Sequence, residues 1–121
     1  MDETTTLAQL KGEIAAFVAK RDWSRNHDLK SLAASVSIEA AELLEHFQWL
    51  DRGESLALAE DDARRAEVAD ELADVLIYLL QFANVAGIDV SDAFRTKMAR
   101  NALRFPVGLP WGSGDQTRIK P

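Results

Sequence analysis

Glu71-Leu72-Ala73-Asp74-Val75-Leu76-Ile77-Tyr78-Leu79-Leu80-Gln81-Phe82-Ala83-Asn84-Val85-Ala86 is the stretch that decides how this chain is read. After Asp74 no charged residue follows until Asp89. A helix that is apolar on all sides is a buried one, so a buried helix is expected here. A carboxylate inside such a helix needs a partner, because an unpaired buried charge is strongly unfavourable. Few cations are placed to serve, which makes a bound divalent metal the natural counter-charge. Residues three apart on a helix sit about 60° apart around the axis and roughly 4.5 Å apart along it. Glu71 and Asp74 can therefore aim at one point. The first half of the chain holds a second pair at the same spacing, Glu39-x-x-Glu42.

Immediately before this stretch, Glu60-Asp61-Asp62-Ala63-Arg64-Arg65-Ala66-Glu67 is strongly charged, with its acids first as a helix dipole favours. We expect one helix from Leu56 or Ala59 to about Ala86, ended by Gly87. Wet at one end and buried at the other, it should reach beyond the body of its own subunit. Asp51 to Leu56, with Gly53, reads as a connection. A helix is expected over 31–50, with Leu32, Val36, Ala40, Leu43, Phe47 and Leu50 on its core face. Beside that face runs a stripe of Ser35, Glu39, Glu42, His46 and Trp49. A solvated face usually mixes Lys and Arg with Glu for i,i+4 support, and this stripe has no cation unless His46 is protonated.

The outer parts are simpler. Leu7, Leu10, Ile14, Phe17 and Val18 recur at helical spacing over 6–20, with Thr4 to Thr6 as cap residues. Arg21 to Asp28 reads as a polar loop carrying Trp23 and His27, either to meet a ligand or only to anchor the loop on the core. Ser91 is the expected N-cap of a helix through Leu103. On that helix Lys97, Asn101 and Arg104 share one face, which taken alone reads first as an ordinary cationic last turn favoured by the dipole. From Pro106 the three prolines and Gly108, Gly112 and Gly114 mark a loop or flexible tail. The expected organisation is one all-α, four-helix domain over 1–105 and a tail over 106–121.

Composition narrows the chemistry. With 121 residues, one core is affordable and subunit association would help it. A net charge of −6 argues against a nucleic-acid polymer as partner, since that needs a basic face. The absence of cysteine removes disulfides, thiolate metal sites and cysteine nucleophiles. Only His27 and His46 are present, too few for histidine-rich zinc chemistry. No apolar run reaches the roughly 18 residues of a membrane span, and the polar, acidic start does not read as a signal peptide. The cytoplasm is the expected location.

Antiparallel packing of the two carboxylate-bearing helices would bring Glu39, Glu42, Glu71 and Asp74 together. Such a cluster needs cations, and hard oxygen donors without sulfur select Mg²⁺ or Mn²⁺. A di-iron bundle would need Glu-x-x-His pairs, and neither histidine stands three residues after a glutamate. No Walker-type loop, nucleophile elbow or plausible Ser-His-Asp set is present. Metal beside basic residues suits phosphate chemistry, so the residues alone point to a Mg²⁺-dependent enzyme acting on a phosphorylated substrate. Acidic i,i+3 pairs are also common on wet helices, and a non-catalytic helical adaptor with an acidic surface is the contrasting reading.

Several linked motifs carry a resemblance. Arg21-Asp22-Trp23, Phe47-Gln48-Trp49, the two carboxylate pairs with 28 residues between them, Glu71 to Leu79, and Lys97-Met98-x-x-Asn101-x-x-Arg104-Phe105-Pro106 occur in order from Phe17 to Pro106. Together they resemble the MazG-type all-α nucleoside triphosphate pyrophosphohydrolases, most of all the dCTP pyrophosphatase branch. The resemblance implies a homotetramer, with a dimer as the smaller alternative. It implies hydrolysis of a nucleoside triphosphate, dCTP or a modified dCTP first, to the monophosphate and pyrophosphate. The same chemistry on dUTP, on a broad set of NTPs or on phosphoribosyl-ATP is the close alternative. It would make Glu39, Glu42, Glu71 and Asp74 metal ligands, put Trp23 and Trp49 around the base, Tyr78 near the nucleotide, and Lys97 and Asn101 by the phosphates. His27 and Arg104 are added as adjacent candidates. The sequence departs from the vertebrate branch at Ile14, where that branch carries a base-contacting histidine, and this leaves the base open.

Overall fold

The structure, a computed structural model, describes residues 1–108. Among these there are only helices, turns and irregular segments, and no strand. Helix α1 spans Leu7–Lys20, α2 Leu29–Glu45, α3 Arg52–Ala57, α4 Asp62–Ala86 and α5 Val90–Arg104. Short 3-10 turns occupy Ser24–Asn26 and Leu58–Glu60. The expected all-α class is therefore present, as four long helices and one short one. Two compact units divide after Ile88, with α1 to α4 in the first and α5 in the second. The tail expected over 106–121 lies mostly outside the described residues.

Local chemistry sets the helix ends, and it shifts several expected boundaries. Thr6 and Gln9 form a reciprocal capping box at α1. α2 starts at Leu29, slightly before the expected 31, because Asp28 caps it: its carboxylate accepts from the Ser31 amide and hydroxyl, both at 2.8 Å. α2 then stops at Glu45, and His46 to Trp49 form a turn instead of the expected last helical turn. The segment expected to be a connection is α3, started by an Asp51/Glu54 capping box that outweighs the helix cost of Gly53. α4 begins only at Asp62, because Asp61 supplies its cap after the preceding 3-10 turn. Asp89, not Ser91, caps α5, its carboxylate accepting from the Asp92 amide at 2.8 Å. Gly87 closes α4 as expected, at φ 66°, in the left-handed region that glycine enters without strain.

Within the first unit α4 packs most extensively on α2, with α1 as its next neighbour. His46 meets Glu71 whereas His27 meets Gln81, so α2 and α4 run antiparallel. The core consists of Val18, Leu32, Leu58, Leu80 and Ala83, with Gln81 the buried polar side chain among them. One expectation is corrected here. The apolar half of α4 is not covered all round: Leu72, Leu76, Ile77 and Leu79 are between 41% and 59% exposed. A 25-residue helix offers more apolar surface than two neighbours in so short a chain can cover. No single described helix is both long and apolar enough to cross a membrane.

Candidate active site

Glu39 and Glu42 project from one stretch of α2, and Glu71 from the facing stretch of α4. One carboxylate oxygen from each lies within 4.8 Å of the others. Antiparallel packing brings the i,i+3 pair Glu39 and Glu42 against Glu71, three of the four carboxylates expected to meet. Two atoms of the cluster, Glu39 Oε2 and Glu71 Oε2, are buried and have no hydrogen-bond partner among the described residues. Burial pushes the Glu39 carboxyl above the ordinary glutamate range, and contact with Glu42 and the charges of Glu42, Asp74 and Glu71 push it further. Burial likewise raises Glu71, followed by Glu42 and Asp74, while His46 acts in the opposite sense. His46 Nε2 stands 3.9 Å from Glu71 Oε1, too far for a good hydrogen bond.

Such crowding of acids is unfavourable on its own. A hard divalent cation would answer both features at once, by supplying counter-charge and by engaging the orphaned oxygens. The donor set is all oxygen, which fits Mg²⁺ or Mn²⁺ and not a thiophilic ion. Asp74 differs from expectation. It is exposed in this chain and stands outside the close trio, although its charge reaches both Glu39 and Glu71.

α4 also forms one wall of a cavity of about 440 Å³ in the same unit. Its apolar lining includes Leu10, Ile14, Phe17, Trp23, Leu76 and Ile77, and its polar lining includes His27, Tyr78 and Gln81. Trp23 meets Phe17 edge-on, with ring centroids 5.6 Å apart and planes at 71°. The Arg21 guanidinium lies 3.5 Å from the centre of the Phe17 ring. A Schellman end to α1 places Trp23 here. The Trp23 amide donates to the Val18 carbonyl and the Asp22 amide to the Ala19 carbonyl, both at 3.1 Å, with Asp22 at φ 53°. Asp22 also pairs with Arg25.

Of the residues singled out from sequence, Trp23, His27 and Tyr78 thus line one cavity, and Glu39, Glu42 and Glu71 form one cluster. Trp49 does neither; it sits in the turn after α2 and is 87% exposed. Lys97, Asn101 and Arg104 lie on α5 in the second unit, where the Arg104 guanidinium covers the Phe105 ring at 5.0 Å. Sequence reasoning missed Phe17 as a wall and Gln81 as a polar lining group. The signal for Gln81 was available: an amide in an otherwise apolar run is expensive to bury without a purpose.

Comparison with known proteins bears on this arrangement. A model of the MazG-like family matches residues 34–108, which contain the carboxylate cluster and Tyr78. This chain belongs to the MazG-like family. Its fold is similar to a solved structure of a pyrophosphatase from Archaeoglobus fulgidus, with a TM-score of 0.77 and 42% identity, covering 82% of this chain and 91% of that one. The MazG-like chain is also 38% identical over 108 residues to rat dCTP pyrophosphatase 1, covering 89% of this chain. To the human protein of the same name it is 36% identical over 104 residues. It spans 64% of the rat relative's length and 61% of the human one's.

Proposed function

We propose that this MazG-like chain hydrolyses a nucleoside triphosphate, dCTP or a modified dCTP first, to the nucleoside monophosphate and pyrophosphate. The observation that carries the proposal is a cluster of three carboxylates, Glu39 and Glu42 of α2 with Glu71 of α4, beside an aromatic cavity walled by the same α4. The names of the relatives, a pyrophosphatase and dCTP pyrophosphatases, support the same chemistry. Glu39, Glu42 and Glu71 would hold Mg²⁺ or Mn²⁺, with Asp74 completing the set. When bound, the ion neutralises phosphate oxygens and lowers the pKa of a coordinated water.

The chain's own groups do the rest. Trp23 offers a face on which a base stacks, and Phe17, held by Arg21, fixes the angle of that face. His27 and Tyr78 supply polar contacts inside the cavity, and we assign Trp49 to the base as a second aromatic surface. Lys97, Asn101 and Arg104 are proposed to take the phosphates. A water oxygen forms the new bond to the α-phosphorus and gives its proton to a glutamate of the cluster, the bond from the α-phosphorus to the bridging oxygen breaks, and pyrophosphate leaves with its charge met by Lys97 and Arg104.

We further propose that residues 1–105 act as one functional domain in a homotetramer. The exposed Leu72 and Leu79, outside that cavity lining, support association, because exposed apolar surface on a small chain readily meets a partner. We assign the work to the cytoplasm as part of the same proposal. The test is release of pyrophosphate from a panel of dNTPs and NTPs, with and without Mg²⁺, by wild type and Glu42→Ala. Metal-dependent pyrophosphate, lost in the variant, is expected. Orthophosphate instead would overturn the site of attack, and no release from any nucleotide would leave the acidic adaptor as the better reading.

A further inference from the structure

Gln81 is only 6% exposed, and its amide is held at both ends. Asn84 Nδ2 donates to the Lys11 carbonyl at 3.0 Å. A carbonyl only accepts, so this contact fixes which end of the Asn84 amide is nitrogen. The same Nδ2 donates to Gln81 Oε1 at 3.3 Å, which fixes the Gln81 amide in turn. Gln81 Nε2 then faces His27 Nδ1 at 3.3 Å. An amide nitrogen cannot accept, so Nδ1 must carry a lone pair and the proton of the neutral ring sits on Nε2. A backbone carbonyl on α1 thereby dictates, through two amides on α4, the tautomer of a histidine in the loop between α1 and α2.

Satisfying one buried amide would not by itself explain this arrangement, because an apolar residue at position 81 would need no network. What distinguishes the site is its place. His27 and Gln81 both line the 440 Å³ cavity, whose walls are otherwise mainly apolar, and no other described residue engages His27 Nε2. Glu13 and Tyr78 are the other polar groups of that lining, and in so apolar a wall a donor held in one orientation has large leverage on which ligand is held.

We propose that Gln81 and Asn84 are positioning residues that hold His27 as an Nε2–H donor for an acceptor on the nucleotide's base. The proposal rests on the cavity being the base site of the function proposed above. Stacking on Trp23 tolerates any base, so selectivity comes from polar groups in the wall, and His27 contributes a donor locked in one tautomer. The base is taken by a carbonyl oxygen or an unprotonated ring nitrogen at the edge that reaches His27.

Nitrogen-15 NMR of the imidazoles in the labelled full chain tests the first half directly. There are two histidines, and His27→Asn identifies the signal. The Nε2–H tautomer is expected for the neutral ring in wild type. Gln81→Glu keeps the shape and still accepts from Asn84, but its carboxylate also accepts from Nδ1–H, so the ring should switch tautomer or become charged. Pyrophosphate-release kinetics test the second half. Gln81→Glu and Gln81→Leu should each raise KM for the preferred nucleotide by about tenfold, as loss of one good base contact does, with a smaller change in kcat. Wild-type His27 protonated on Nδ1, or an unchanged KM in both variants, overturns the proposal. A wild type that hydrolyses no nucleotide removes the base-site reading itself, while the NMR result still decides the hydrogen-bond order. Since that measurement needs only wild type and one assigning variant, failure of Gln81→Leu to fold does not protect the idea.

Discussion

Glu39 on α2 and Glu71 on α4 each bury a carboxylate oxygen, Oε2, that meets no hydrogen-bond donor in the described chain. Two acceptors left so in one cluster are a standing cost to the metal-free fold, and the cost should be relieved when a divalent ion binds. A ligand present at a hundred times its Kd stabilises the state it binds by about 2.7 kcal/mol. For a domain of this size a kcal/mol corresponds to roughly 4–8 °C. We predict that saturating Mg²⁺ raises Tm by about 10 °C or more over the EDTA-treated chain, and that Ca²⁺ or Mn²⁺ ranks beside it by fit. Differential scanning fluorimetry with each ion measures this; an ion-independent Tm would count against the metal site.

The same crowding fixes the sign of the pH dependence. Both carboxyls are raised above their ordinary value in the folded chain, by burial first and neighbouring acids second. The fold therefore binds these protons more tightly than the unfolded chain does. Their contribution to stability is fully present below the ordinary glutamate value and is lost as pH rises through the raised folded values. Metal-free protein should lose Tm between mildly acidic and neutral pH, and added Mg²⁺ should flatten or reverse that slope.

Much of this site was legible beforehand, and the reasons it was not wholly legible are physical. The i,i+3 spacing of Glu39/Glu42 and the antiparallel order of the helices are properties of a regular helix, so the cluster could be read from sequence. Asp74 could not be read in the same way. Its apolar neighbours suggest burial, but which sides of α4 are covered depends on how much surface one short chain can supply. The N-cap of α5 falls at Asp89 and not at the expected Ser91, because Asp and Ser cap about equally well. Asp51-x-x-Glu54 carries a capping-box signature that outweighs Gly53, so the segment expected to be a connection is helical.

Replacing one crowded acid by its amide should separate stability from activity. Glu39→Gln removes a charge and places a donor within reach of Glu42, so the metal-free chain should melt a few degrees higher. The variant should also lose the Mg²⁺ shift and at least about a hundredfold in pyrophosphate release, the loss expected at a metal centre. Scanning fluorimetry and turnover measured on the same sample decide it. A variant that is both more stable and fully active would show that Glu39 is only a strained surface acid.

Trp23 is held by its neighbours and Trp49 is not, which predicts unequal roles. Base–aromatic stacking is worth about 1–3 kcal/mol on truncation to alanine. Trp23→Ala should raise KM by roughly 5- to 150-fold by that measure, while Trp23→Phe retains most of the affinity. Trp49→Ala should raise KM in the assembled protein if the exposed ring closes over a base, and should leave the Tm of the chain nearly unchanged because Trp49 packs on little. Steady-state kinetics of the three variants on the preferred nucleotide give the ranking, and an unchanged KM in Trp23→Ala would place the base elsewhere.

The turn that carries Trp23 offers a test of the fold-to-site link. Asp22 occupies the left-handed region at φ 53°, where an L residue is strained by about 1–2 kcal/mol and Asp somewhat less. Asp22→Gly should relieve that strain, while costing only an exposed pairing with Arg25 of about 0–1 kcal/mol. Its Tm should therefore stay level or rise slightly. Asp22→Val should destabilise by about 1–2 kcal/mol and disturb the Schellman bonds that seat Trp23 against Phe17. Its KM should climb more than its kcat falls, because the carboxylate cluster on α2 and α4 is untouched. Tryptophan fluorescence with denaturant melts would register the disturbed seat. Wild-type stability and KM in the Asp22→Val variant would mean that the turn does not hold the base platform in place.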